Sequence, residues 1–157
     1  MLAQSHHGGR AELGQNFLTH QPTLVRIAEL VATTKGSILE IGVGGCALTK
    51  HLCTLGRDLR AIDIDASRVK RLQAELKGVD IAHADVRREP LTRDVVVGNI
   101  PFHLTTPIMR RLLAEGDWTH AIVLTQWEVA RKRAGVGGST MMTSQAAPWF
   151  SFELHDR

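Results

Sequence analysis

The stretch Ser37-Ile38-Leu39-Glu40-Ile41, running straight into Gly42-Val43-Gly44-Gly45, constrains the fold more than any other part of the chain. An apolar run of that length reads as a buried strand. The glycines permit a tight turn at positive φ, and Leu48, Leu52 and Leu55 then recur on one face of a helix. Strand, glycine turn and helix in that order make one unit of a parallel sheet, and the unit repeats. Leu59 to Ile64 reads as a second strand, followed by a helix with Val69, Leu72 and Leu76 turned inward. Val79 to His83 reads as a third strand, Asp94 to Gly98 as a fourth and Ala121 to Leu124 as a fifth. Thr106 is expected to cap the helix before the fifth strand, with Pro107 at its first position. Upstream, Pro22 suits the start of a helix carrying Leu24, Ile27, Ala28 and Val31. The alternation predicts an α/β fold, a parallel sheet covered by helices on both faces, with ligands outside the C-terminal ends of the strands.

A chain of 157 residues with 43% apolar content can bury one substantial core. Residues 1–13 are polar and rich in Gly and His, which predicts a flexible arm ahead of a domain spanning 14–157. No apolar run approaches the roughly 18 residues a membrane helix needs, and the N-terminus lacks the halves of a signal peptide, so a cytoplasmic location is expected. Cys46 and Cys53 fall on or near one helix and read as small buried thiols rather than a disulfide. The eight histidines follow no metal-ligand spacing, so no metal is expected. The formal charge of +3 is compatible with a polyanionic partner. The clusters Arg68-Lys70-Arg71, Arg87-Arg88, Arg110-Arg111 and Arg131-Lys132-Arg133 read chiefly as solvated helix faces.

The glycine turn, with Asp63 about 20 residues on, implies nucleoside binding. Glycines let a backbone approach its ligand closely, and a carboxylate at the end of the second strand accepts hydrogen bonds from two ribose hydroxyls. Alone, this pattern does not choose between NAD and S-adenosylmethionine. Glu40, in a strand that NAD sites usually keep apolar, and Asp85, at the end of the third strand, favour S-adenosylmethionine. Asp85 can accept from the cofactor adenine amine while the Val86 N–H meets a ring nitrogen.

Just past the fourth strand lies Asn99-Ile100-Pro101-Phe102. The Asn99 side-chain oxygen and the Ile100 carbonyl can both accept hydrogen bonds from an NH2 group, Pro101 fixes the local φ, and Phe102 offers a stacking face. Such a turn suits a flat base with an exocyclic amine, and adenine is the expected target.

Five motifs occur in the order found in the ribosomal RNA adenine N6-methyltransferases: Gly14-Gln15-Asn16-Phe17-Leu18, Leu39-Glu40-Ile41-Gly42-Val43-Gly44, Ala61-Ile62-Asp63-Ile64-Asp65, Ala84-Asp85-Val86 and Gly98-Asn99-Ile100-Pro101-Phe102. Within that family the chain resembles the Erm type, which confers macrolide, lincosamide and streptogramin B resistance. The stretch from Gln126 to Gly138 resembles actinobacterial members in particular.

The resemblance implies S-adenosylmethionine as cofactor and 23S ribosomal RNA as partner, with transfer to N6 of an adenosine by a monomer. It implies that Asn16 and Leu18 contact the methionine end of the cofactor, with Gly42 against it. Asp63 would hold the ribose, where many relatives use Glu, Asp85 would read the adenine, and Asn99 would bridge cofactor and target. The catalytic set is then Asn99, Ile100 and Phe102. The chain departs from the pattern at Gly45, where relatives often carry Lys, and at Phe102, where many carry Tyr. Competing readings are a KsgA-type small-subunit rRNA dimethyltransferase, a DNA adenine or protein glutamine methyltransferase, an NAD-dependent oxidoreductase and a non-catalytic nucleotide-binding module.

For the C-terminal end, Phe150 to His155 is expected to form a sixth strand. The antiparallel seventh strand and the helical RNA-binding domain of the family are expected to be missing. The expectation is an incomplete catalytic domain, a fragment or truncated product, with the fifth strand left at an open edge and with weakened stability and RNA affinity.

Overall fold

A computed structural model describes residues 18–138 and 140–155. The predicted arm at residues 1–13 and Asn16 lie outside the described residues. Helix α1 (Gln21–Ala32) precedes strand β1 (Ile38–Ile41), and α2 (Ala47–Cys53) leads to β2 (Leu59–Asp63). Helix α3 (Ala66–Glu75) is followed by β3 (Asp80–His83) and β4 (Val95–Asn99). A short 3-10 turn (Phe102–Leu104) runs into α4 (Thr105–Ala114), then β5 (His120–Leu124), α5 (Trp127–Arg133) and α6 (Met141–Ala146).

The five strands form one parallel sheet in the order β3-β2-β1-β4-β5. Its register follows from side-chain alternation on strands buried on both faces. Ile38, Val95 and Val97 pack with Leu24, Ile27 and Val31 of α1 and Leu48 and Leu52 of α2. Ala61 and Ile81 join Val69 and Leu72 of α3. Leu39, Ile41, Ile62 and Val96 turn the other way, onto Ile108, Met109 and Leu112 of α4. Moving the strand set by one residue would exchange these faces, so the apolar pattern and the two helical layers fix one another.

Between β1 and β4 the strand order reverses direction, the point at which sheets of this kind open a crevice. The two strands approach closely there. A Cβ added to Gly98 would stand 2.4 Å from the Ile41 carbonyl oxygen, a backbone atom that cannot swing aside. Gly98→Ala should therefore cost about 2–3 kcal/mol, read as a lower denaturant midpoint at unchanged slope.

Three expectations need correction. Phe150 to His155 does not pair as a sixth strand. Phe150 instead stacks on Trp118, with centroids 5.1 Å apart, and Phe152 packs against the α4-side core, so aromatic burial on the sheet's face wins over extension of its edge. Helix α4 begins at Thr105 rather than at Pro107, with Leu104 and not Thr106 at the cap position and no side-chain cap among the described residues. The Thr105 hydroxyl turns to the Pro101 carbonyl at 3.4 Å and to Thr125. Of the two thiols, Cys46 is buried but Cys53 is exposed at the end of α2. No helix among the described residues is long and apolar enough to cross a membrane.

Candidate functional site

An open cleft of about 670 Å³ lies at the C-terminal ends of β1, β2 and β4. Its lining includes Gly42 and Gly44 of the turn after β1, Asp63 at the end of β2, Asp85 after β3, and Asn99 at the end of β4. Four motifs separated by up to 57 positions thus converge because parallel strands carry their ends to one side. Ile62, Ile64, Ala84, Val86, Leu104 and Ile108 supply apolar walls.

The turn depends on unusual backbone. Gly42 and Gly44 have φ of +77° and +55°, and Cys46 at +60° is the one non-glycine residue at positive φ among the described residues. The Gly42 N–H donates to the Ile62 carbonyl at 2.9 Å, which ties the turn to the end of β2. A Cβ at Gly42 would lie 3.6 Å from the Asn99 carbonyl, so the glycine also keeps the floor of the cleft low between β1 and β4.

Asp63 is only 6% exposed, and its carboxylate is held from several sides. It accepts from the Gly44 N–H at 3.2 Å and the Asp65 N–H at 2.9 Å. It also accepts from Arg68 Nη1 at 3.1 and 3.0 Å, one distance to each oxygen. Asp85 accepts from the Arg87 backbone N–H at 2.9 Å and from the Arg87 guanidinium at 2.7–3.0 Å. These contacts, the Arg87 side chain first, hold the Asp85 carboxyl below its ordinary range. The carbonyl of the next residue, Val86, accepts from Arg111 on α4.

Arg68 and Arg111 depart from the solvated faces expected of the arginine clusters, whereas Arg87 stays exposed. Arg68 is not on a solvated face: its side chain is 10% exposed and paired to Asp63 and Asp65. A signal was present. Asp65 caps α3 by accepting from the Ser67 and Arg68 N–H groups, and that turn brings the third residue after the cap back toward the end of β2.

Asn99 ends β4 and lines the cleft, while the Ile100 side chain is buried in the α4-side core. The Ile100 N–H donates to the Leu124 carbonyl at 3.1 Å, which fixes the turn to β5. Phe102 is 48% exposed in the 3-10 turn that follows. Leu18, expected beside the methionine end of a cofactor, packs against the α1-side core and is not part of the cleft lining.

By the alternation of β1, Glu40 shares with Ile38 the face toward α1 and α2, and it is not in the cleft lining. It is 1% exposed, and neither carboxyl oxygen has a hydrogen-bond partner among the described residues. Burial drives its pKa up to about 8. The adjacent Thr49 hydroxyl opposes the shift without forming a well-oriented bond, and the Asp63 charge adds to it.

A parallel, doubly covered sheet with a glycine turn and two carboxylates around the crevice at its switch point defines a Rossmann-like fold of the methyltransferase kind. The chain belongs to the family described as Ribosomal RNA adenine dimethylase, whose profile matches residues 6–147. It is 50% identical over 161 residues to an rRNA adenine N-6-methyltransferase of Corynebacterium diphtheriae, covering 100% of this chain and 63% of that protein. It is 46% identical to the mycinamicin-resistance protein MyrB of Micromonospora griseorubida, covering 96% of this chain and 50% of that protein. Among solved structures, the 23S rRNA methyltransferase ErmE matches with a TM-score of 0.77 at 31% identity, covering 87% of this chain and 59% of that one. The chain therefore spans between half and two thirds of the length of these relatives.

Proposed function

We propose that this chain carries the methyl-transfer site of an Erm-type rRNA adenine N6-methyltransferase, moving methyl from S-adenosylmethionine to N6 of an adenosine in 23S ribosomal RNA. The biological outcome would be macrolide, lincosamide and streptogramin B resistance, exerted in the cytoplasm. The observation that carries the reading is the meeting of Asn99 with Gly42, Asp63 and Asp85 in one cleft. The make-up of the cleft suits a nucleoside: carboxylates stand at two strand ends, apolar side chains wall the space between, and the glycine turn allows close approach.

Gly42 would lie against the cofactor, Asp63 would accept from its ribose hydroxyls and Asp85 from its adenine amine. When bound, the cofactor supplies a methyl on a positively charged sulfur. The chain's own contribution is to prepare the acceptor. An adenine N6 lone pair is delocalised into the ring and is a poor nucleophile. Hydrogen bonds from N6 to the Asn99 side-chain oxygen and the Ile100 carbonyl favour a more tetrahedral nitrogen and aim its lone pair in line with the methyl. The target base must leave its stack, and Phe102 would hold it by a contact worth ~1–3 kcal/mol. As the N–C bond formed, the methyl's bond to sulfur would break and S-adenosylhomocysteine would leave; the methylated nitrogen, now acidic, would lose its proton to water, so no strong base would be required.

Radiolabelled methyl transfer to purified ribosomal RNA, with the modified nucleotide mapped, tests the reading. The expected product is N6-methylated adenosine in the large-subunit RNA. Label in small-subunit RNA alone, or in DNA or protein, would replace it with one of the competing assignments.

A further inference from the structure

We propose that Arg68 is a positioning residue for the cofactor ribose, acting through Asp63. This rests on the reading of the cleft as a nucleoside site. An aspartate at the end of β2 has a single methylene, so the orientation of its carboxylate is decided by what grips it. Here Arg68 Nη1 reaches both oxygens, at 3.1 and 3.0 Å, while its Nη2 lies 3.3 Å from Asp65 Oδ2. With the Gly44 amide adding one donor to Oδ2 and the Asp65 amide one to Oδ1, the plane of the carboxylate is set before a ribose arrives.

Two further observations indicate that the pairing serves the site rather than the surface. Arg68 occupies the first turn of α3, where the helix dipole disfavours a cation, so the carboxylates must outweigh that penalty to keep it there. The pair is also largely withdrawn from solvent, with side-chain exposures of 10% and 5%, and both residues line the cleft. A ribose diol meeting a preset carboxylate loses less conformational freedom on binding than one meeting a mobile carboxylate. Arg68 thus fixes the plane of the carboxylate that a ribose would meet.

The test uses calorimetric binding of S-adenosylhomocysteine and of its 2′,3′-dideoxy counterpart to the chain and to its Arg68→Met and Arg68→Lys variants. Arg68→Met should weaken S-adenosylhomocysteine about tenfold while leaving the dideoxy ligand within about twofold, because only the former uses Asp63. Arg68→Lys, which keeps the charge but not the fork, should lose about threefold, again only for the ligand bearing hydroxyls. If Arg68→Met does not fold, this second variant carries the comparison. Equal weakening of both ligands would make Arg68 merely structural and overturn the inference, as would unchanged affinity for S-adenosylhomocysteine. Failure of the unaltered chain to bind S-adenosylhomocysteine would overturn the nucleoside reading itself, a result distinct from either.

Discussion

Asn99→Ala should reduce methyl transfer by at least about a thousandfold while leaving cofactor binding measurable. The side chain sits at the last position of β4, in register with Leu124 of β5, on a backbone that Gly98 presses against β1. Its oxygen is one of two acceptors proposed for the target amine, and the other, the Ile100 carbonyl, survives the substitution. A single acceptor leaves N6 free to rotate back into conjugation with the ring, so the nucleophile is lost rather than weakened. Single-turnover transfer with saturating cofactor, beside calorimetry of cofactor binding, separates the two effects. Retained turnover would remove Asn99 from the chemistry and leave it a lining residue.

The second large effect concerns Glu40 and stability. A carboxyl whose pKa rises to about 8 on folding holds its proton more tightly in the native chain than in the unfolded one. Its contribution to stability is therefore complete at pH below its ordinary value of 4.5 and is lost as pH rises through about 8. Over that window the loss amounts to roughly 3–5 kcal/mol, a large part of the stability of a domain this size. Glu40→Gln, which keeps shape and removes the ionisation, should raise the melting temperature by several degrees at pH 8.5 and change it little at pH 5. Parallel pH profiles for the two proteins would show that Glu40 is not the titrating group.

Much of this architecture could be read from the chain before any coordinates, because strands in a doubly covered parallel sheet are apolar on both faces and announce themselves as runs. Val95, Val96 and Val97 are buried on alternate faces, and their strand ends at Asn99, two residues past the last valine. Asp63, Asp85 and Asn99 were legible for a related reason, since a polar residue directly after such a run is carried to the crevice. The failures share a different cause. Phe150 to His155 has the composition of a strand, but extension needs a neighbour, and Trp118 offers Phe150 a better contact. Arg68 looks like surface charge until the α3 cap folds it back onto carboxylates three and five positions away. Cys53 was assigned to the interior from its residue type, whereas its place at the end of α2 leaves it exposed.

Strand β5 stands at the edge of the sheet, and it supplies the carbonyl that holds the Ile100 amide. The proton on that amide therefore exchanges with solvent only when the edge strand and the acceptor turn part company. Ile100 is thus a built-in gauge, readable by amide exchange without substrate or label, of how firmly the edge of the sheet steadies the place where a base would be received. Any partner that paired with β5 from outside would register there as slower exchange, well removed from its own point of contact.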